Sequence, residues 1–275
     1  MKTVLVTGAS SGIGLATSRR FAAAGWTVVA SMRKPECAKE LAKLENVIVI
    51  RLDVQDPVSI ESAIEQALRR VKRIDVLVNN AAFTQYGLFE AIPREKIQEQ
   101  FDVNVFGVMD VTRALLPHLR SNRNGVIVNL SSGAGLFALP LSSIYCASKF
   151  ALEGFSESLA YELAAQGITV KLVEPHGGVS ASHFAARTAA SRAADPALRD
   201  YEHFEKKTAR VMGRATRSPA QSADDVAQVV FEAATDGSDR LRYLAGDDSG
   251  GFVRAWQELP DADYVRFMRS YFEAG

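Results

Sequence analysis

"TVLVTGASSGIGLATSRRFAAAG", residues 3–25, decides the fold. Its first residues are an unbroken β-branched and aliphatic run, the pattern of a strand covered on both faces. From Ile13 onward the apolar residues take helical spacing, so the strand leads directly into an amphipathic helix. Gly8, Gly12 and Gly14 stand at the junction. Glycine is needed where a backbone turns tightly, where phosphates must approach it closely, and where a helix packs hard on a strand. The helix N-terminus adds free amides and the positive end of a dipole. The turn formed by Gly8, Ser10, Ser11, Gly12, Ile13 and Gly14 therefore reads as a cradle for a dinucleotide's pyrophosphate. A mononucleotide P-loop is excluded, because no Gly-Lys-Ser/Thr follows.

The same alternation continues down the chain. "TVVAS" (27–31), "VIVIRL" (47–52), "DVLVN" (75–79), "GVIVNL" (125–130) and "ITVKLV" (168–173) are short apolar runs parted by helical stretches of crossover length, and "RLRYLAG" (240–246) reads as a last strand. Asp56 before Pro57 marks one helix start, and Ser218-Pro219-Ala220-Gln221 marks another with a capping box. Such alternation predicts an α/β fold: a doubly wound, mostly parallel sheet with helices on both faces, in a single domain over residues 1–275. Residues 179–217 depart from it, being rich in Ala, Arg and Ser and holding His183 and His203. A long excursion after a late strand is expected to be a helical substrate lid, a surface helical insertion being the alternative. In the tail (250–275), Tyr264, Val265, Met268, Tyr271 and Phe272 fall at helical spacing, a packing stripe expected to dock on its own domain.

Composition excludes several classes. At 47% hydrophobic and 23% charged the chain is of ordinary globular make-up. Basic and acidic residues balance at 32 each, leaving no overall field to draw nucleic acid or anionic lipid. Two cysteines, Cys37 and Cys146, make no disulfide framework and suit a reducing compartment; Cys146 reads as an inert thiol. No apolar run approaches the ~20 residues of a membrane span, and "MKTVLVTG" lacks the pattern of a leader. A cytoplasmic protein without a membrane span or metal site is expected.

Cofactor type turns on the end of the second strand, where an acidic residue would hold a ribose 2′-hydroxyl. The residues there are Ser31-Met32-Arg33-Lys34. A guanidinium can instead bind a 2′-phosphate in bidentate fashion, so NADP(H) is expected with Arg33 as its determinant, NAD(H) use staying open. Asp53 and Val54, ending the third strand, are candidates for the adenine edge.

"YCASK" (145–149) sets Tyr145 and Lys149 one helical turn apart, on the same side of a helix. Such a pair arises by chance often enough to need company. The company is "TGASSGIG" (7–14), "NNAA" (79–82), Asn104 in "DVNVFG", "NLSS" (129–132) and "VEPHGG" (173–178). With these marks in this order, over roughly residues 3 to 180, the chain resembles the short-chain dehydrogenase/reductase family in its compact single-domain branch. The resemblance implies a nicotinamide-dependent oxidoreductase in which Ser132, Tyr145 and Lys149 are the catalytic set, joined by Asn104. It adds Asn80, Ala81, Tyr145, Lys149, Pro175, Gly177 and Ser180 to the cofactor contacts, and implies a homodimer or homotetramer. In physical terms, Ser132 stands at a strand's carboxyl end and can hydrogen-bond a carbonyl oxygen, while Ser131 is the competing serine. Tyr145 would be general acid in reduction and base in oxidation. The Lys149 ammonium would favour its phenolate and bond the nicotinamide ribose. Asn104 would hold a backbone group and a water, or act as a helix-kinking structural amide.

Two departures from the family pattern matter. Ala82 stands where glycine is commoner, and "PHGGVSAS" (175–182) has His176 for a glycine and no threonine for the carboxamide. Ser180 is the ungapped match, and Ser182 becomes a candidate if the loop carries extra residues. Two apolar loops, 81–92 and 133–143, should rim the substrate pocket with Phe83, Tyr86, Leu136, Phe137, Leu139 and Leu141. Ser132, Phe83, Leu139 and His176 are the candidate substrate contacts, His176 being alternatively a turn residue with a satisfied ring. An apolar lining suits a lipophilic ketone, aldehyde or secondary alcohol, as in steroid- or retinoid-type members. Two other readings compete with this one. An NADPH-sensing, non-catalytic regulator is expected to lose the tyrosine–lysine pair. An epimerase or dehydratase on a nucleotide-sugar wants a longer C-terminal domain and a site for a charged diphosphate.

Overall fold

The structure, a computed structural model, describes residues 1–180, 191–193, 195–215, 221–248 and 250–273. Strands β1 (Thr3–Thr7), β2 (Thr27–Met32), β3 (Val47–Arg51), β4 (Val76–Asn79), β5 (Gly125–Leu130) and β6 (Ile168–Pro175) lie where the apolar runs predict them. A short pair, β7 (Val179–Ser180) and β8 (Gln221–Ser222), stands apart, and β9 (Arg242–Ala245) completes the main sheet. The helices are α1 (Gly12–Ala23), α2 (Pro57–Val71), α3 (Arg94–Phe101), α4 (Gly107–Asn122), α5 (Ser143–Ala164), α6 (Glu202–Ala215), α7 (Ala223–Thr235), α8 (Phe252–Glu258) and α9 (Asp261–Glu273).

The sheet order is β3-β2-β1-β4-β5-β6-β9, and every pairing in it is parallel. Period-two alternation sends Val4, Val6, Val28, Val76 and Val78 to one face, where Phe21 of α1 and Val226 and Val230 of α7 cover them. Leu5, Val29, Leu77 and Ile127 face the other way, onto Ile60 and Ile64 of α2, Leu115 of α4 and Leu159 of α5. With both faces apolar the strands have no polar side, which is why they read as unbroken runs. Full burial of each such side chain contributes about 1.5–3 kcal/mol, so the sheet is a rigid platform.

From β1 the chain winds out to β3 and then crosses back to β4 on the other side of β1. The loops after β1 and β4 diverge at that reversal, opening a crevice at the strands' carboxyl ends.

Asp56 caps α2 as expected, accepting from Val58 N at 3.0 Å and Ser59 N at 3.2 Å, with Pro57 in the first turn. The capping box expected at Ser218–Gln221 is corrected. Residues 218–220 lie outside the described residues, and α7 starts at Ala223, capped reciprocally by Ser222 and Asp225. Gln221 is used differently, its side-chain amide donating to His176 O and Ala245 O and so tying two strand ends together.

Candidate active site

The glycine turn is built by exclusion. Gly8 has φ +67, and a Cβ on it would lie 2.8 Å from Ala81 Cα. On Gly14 a Cβ would come within 2.4 Å of both Gly8 O and Asn80 Nδ2. Asn80 Nδ2 donates to Thr7 O and Gly8 O, and Thr7 Oγ1 receives the Asn80 and Ala81 amides, so the "NNAA" turn braces the glycine turn. Ser11 sits at the N-cap of α1 without a side-chain capping bond, and the first turn carries no acid. Helix amides without a cap, no repelling carboxylate and no Cβ in the way fit a pyrophosphate.

Asn104 lies in a π-helical turn, Asp102–Phe106, joining α3 to α4. Such turns recur at functional sites. Gly107 permits this one, because a Cβ there would meet Val54 O at 2.7 Å. Asn104 accepts from Phe83 N at 3.1 Å and donates to Phe83 O at 2.9 Å and Ser148 Oγ at 3.2 Å. It thereby pins the 81–86 loop to α5, the helix that carries Tyr145.

Ser132 and Tyr145 are in hydrogen-bond contact. Ser132 Oγ also receives Ala134 N at 3.2 Å, which orients it. Ser131 instead lies beside Gly135 and Glu153, which separates the two candidate serines. Burial pushes the Tyr145 phenol up to about 12, with the Ser132 hydrogen bond pulling it back. Burial likewise lowers Lys149 to about 8, opposed by Glu153. The Lys149 ammonium donates to Leu130 O, 2.7 Å away, and lies 5.8 Å from the Tyr145 ring centroid.

One cleft of about 1380 Å³ joins these parts. Gly8, Ser10, Ser11, Gly12, Ile13, Arg33, Asp53, Val54, Asn80, Ala81, Pro175, Gly177, Ser132, Tyr145, Lys149, Phe83, Leu139 and His176 all line it. Arg33 directly follows β2 and is exposed, and among the described residues no carboxylate pairs with it. Asp53 receives Gln55 N, which makes a polar strand end of it. His176 is 8% exposed, packs on Gly133 and has Nδ1 at 3.3 Å from Glu174 O, so it is a largely satisfied turn residue whose edge reaches the cleft. Ser180 contributes backbone to the β7–β8 pair, while Ser182 and His183 lie outside the described residues. His203 is exposed on α6.

The apolar rim differs from expectation in part. Phe83, Tyr86, Phe137 and Leu139 line the cleft, but Leu136 and Leu141 are turned into the core, at 3% and 8% exposure. Among the liners not foreseen are Phe252, Arg192 and Met212, with the acidic Glu99, Asp247 and Asp248. Phe252 rests on Phe137 with ring centroids 5.2 Å apart and receives Tyr271 of α9 at 4.6 Å, so the tail stripe buttresses the cleft wall. Residues 191–193 are stitched across the 84–87 loop, with Ser191 Oγ on Thr84 O and Ala193 N on Tyr86 O. The aromatic spacing of the tail was a usable signal for Phe252; nothing local announces Arg192 or Met212.

Among the described residues no helix is long and apolar enough to cross a membrane, and no group of three His, Cys, Asp or Glu is placed to hold a metal ion. The sequence model of the short chain dehydrogenase family matches residues 2–192. An uncharacterized oxidoreductase of Schizosaccharomyces pombe is 38% identical over 240 residues, 86% of this chain and 98% of that one. The 3-ketodihydrosphingosine reductase of Bacteroides thetaiotaomicron is 39% identical over 172 residues, 62% of each chain. A short-chain dehydrogenase/reductase of Burkholderia phymatum, solved in complex with NAD, superposes with a TM-score of 0.78 at 28% identity, covering 92% of both chains. A seven-stranded parallel sheet, a glycine turn at its switch point, and relatives alike over most of their length lead to one conclusion: this chain belongs to the short-chain dehydrogenase/reductase family, and is an oxidoreductase.

Proposed function

We propose that this protein is an NADP(H)-dependent reductase of lipophilic ketones or aldehydes, with oxidation of the matching secondary alcohols as its reverse reaction. One observation carries the reading: a single cleft runs from the glycine turn to the half-buried Tyr145 phenol, in hydrogen-bond contact with Ser132. In this reading Gly8 through Gly14 take the pyrophosphate, Arg33 the 2′-phosphate, Asp53 and Val54 the adenine edge, and Asn80, Ala81, Pro175, Gly177 and Ser180 the remaining cofactor contacts. A bound nicotinamide cofactor supplies the hydride. Ser132 and Tyr145 hold the substrate's carbonyl oxygen, and Tyr145 Oη gives it a proton. The phenol, which burial raises to about 12, is protonated at neutral pH and available as the donor. Lys149 holds its charge beneath the phenol, and Asn104 fixes the loop bearing Phe83.

The walls support an uncharged substrate. Phe83, Leu139, Phe137 and Phe252 are apolar, Arg192 is engaged by Glu205 at 2.8 Å, and the lining acids Glu99, Asp247 and Asp248 would repel a substrate carboxylate. A relative named for reducing 3-ketodihydrosphingosine is in keeping with a ketone on a lipophilic chain. The 179–217 segment is read as the lid, and a second copy of the chain as the partner. Cytoplasmic residence belongs to the same reading, in keeping with Cys37 and Cys146 both being free thiols.

Fluorescence titration with NADPH and NADH, on the wild type and Arg33→Ala, tests the cofactor assignment. The wild type should prefer NADPH and the variant should lose that preference; an Arg33→Ala protein that still prefers NADPH overturns it. Tyr145→Phe should bind cofactor normally and lose turnover of lipophilic ketones, and unchanged turnover would end the mechanism.

A further inference from the structure

Behind Lys149, away from the cleft, two acidic side chains share one cation. Glu153 of α5 and Glu174 of β6 are 6% and 1% exposed. Arg242, on the neighbouring β9, sends Nε to Glu153 Oε2 at 3.0 Å and lies 3.5 Å from Glu174 Oε1 with the same nitrogen. Its Nη2 is committed elsewhere, to Glu157 on the surface at 2.5 Å. Glu153 is in hydrogen-bond contact with the Ser131 hydroxyl, whereas among the described residues buried Glu174 Oε1 receives no hydrogen bond, Arg242 Nε standing 3.5 Å away. Yet the two carboxyl groups are within hydrogen-bond contact of each other.

Two ionised carboxylates cannot face each other out of water with one shared guanidinium nitrogen between them. A buried carboxylate oxygen without a donor is costly, and one proton on the pair removes both that cost at Glu174 and the repulsion between the two groups. We propose that Glu153 and Glu174 hold a single proton between them at neutral pH, and that Glu153 is a positioning residue that sustains the charge of Lys149.

Every charged neighbour fits this arrangement. Lys149 lies one turn before Glu153 on α5, and Arg242 and Arg240 act on the pair from the β9 side. Glu157 faces Arg242 from solvent, and the Ser131 hydroxyl lies beside Glu153. Gly135 closes the pocket, since a Cβ there would meet Ser131 Oγ at 2.8 Å and Glu153 Cγ at 3.0 Å. Burial, then the charge of Glu153, raises Glu174 to about 8, so the second proton leaves only above neutrality. The remaining negative charge on Glu153 opposes the burial that lowers Lys149. The shared proton rests on the burial of both carboxyl groups around one Arg242 nitrogen, whereas the positioning role rests on the proposed function of Lys149.

The test has two readouts. Infrared spectra of the purified protein at pH 7 should show the carbonyl stretch of a protonated carboxylic acid. Glu174→Gln should abolish that band and Glu153→Gln should shift or abolish it, while Glu157→Gln, on the same arginine but exposed, should leave it in place. Absence of the band from the wild type, or its survival in Glu174→Gln, overturns the shared proton. The second readout is the pH dependence of kcat/KM for alcohol oxidation. Its ascending limb should move to higher pH by about one unit in Glu153→Gln, a tenfold loss on that limb, and stay in place in Glu157→Gln. A Glu153→Gln profile that superimposes on the wild type overturns the positioning role. If no alcohol is turned over at all, the infrared band still decides the proton, so failure of the proposed function and failure of the pair are told apart.

Discussion

Replacing Lys149 by methionine should stabilise the protein at neutral pH while removing its proposed activity. Lys149 is 2% exposed, and burial takes its ammonium from the ordinary 10.5 down to about 8. Holding the charge in the fold at pH 7 therefore costs about 3 kcal/mol relative to the unfolded chain. Methionine has nearly the same length and no charge, but it forfeits the bond from Nζ to Leu130 O, worth about 1–2 kcal/mol. The net expectation is a gain of about 1–2 kcal/mol at pH 7. The sign against pH is equally definite. Between pH 8 and 10.5 the unfolded wild type binds a proton that the folded one has lost, so wild-type stability rises with pH across that window. The variant lacks this rise, and by pH 10 it should be the less stable protein by about 1 kcal/mol. Urea unfolding of both proteins at pH 7 and pH 10, without cofactor, measures the two differences. Tyr145 does not disturb the window, because its raised phenol subtracts stability only as pH climbs from 10 through about 12. A variant less stable than wild type by the same amount at both pH values would refute the reasoning and make Lys149 a plain structural donor.

Other expectations follow from single contacts. Gly14→Ala gains about 1 kcal/mol of helix propensity but must displace the Asn80 amide from two carbonyls, so it should lower the melting temperature and weaken NADPH binding in the same titration. Asn104→Ala leaves Phe83 N without its acceptor, while Phe83 O keeps Gln100 Nε2 at 2.7 Å, a loss of about 1–3 kcal/mol visible in the urea midpoint. Phe252→Ala removes a ring from between Phe137 and Tyr271; KM for a lipophilic ketone should rise about tenfold, the cost of about 1.4 kcal/mol of lost contact, with NADPH affinity kept. Asp56→Ala, which only uncaps α2, should cost about 1 kcal/mol and lower the melting temperature by about 2–4 °C.

Much of the fold was legible because its signals are local. A strand buried on both faces has to be an apolar run, so Thr3–Thr7, Thr27–Met32 and their successors could be read one at a time. The box at Ser218 misled for a related reason. A capping pattern is only a competitor for a helix start, and Ser222 with Asp225 held the stronger position once Gln221 was needed at the ends of β6 and β9. Leu136 and Leu141 misled because an apolar loop residue carries no mark of whether it faces a cleft or the core.

What the sequence determined by itself, then, is what repeats or spaces within a few residues: the α/β alternation, a turn from which side chains are excluded at Gly8 and Gly14, and the one-turn separation of Tyr145 from Lys149. Only the tertiary structure decided that Asn104 spends its amide on Phe83 and that the tail aromatics buttress the cleft. It also decided how deeply the titratable groups of the site are buried. Desolvation is a sum over every element packed around a group, and the cation serving Glu153 comes from a strand 89 residues away. No spacing in the chain encodes such a sum; it exists only once α5, β6 and β9 have been brought together.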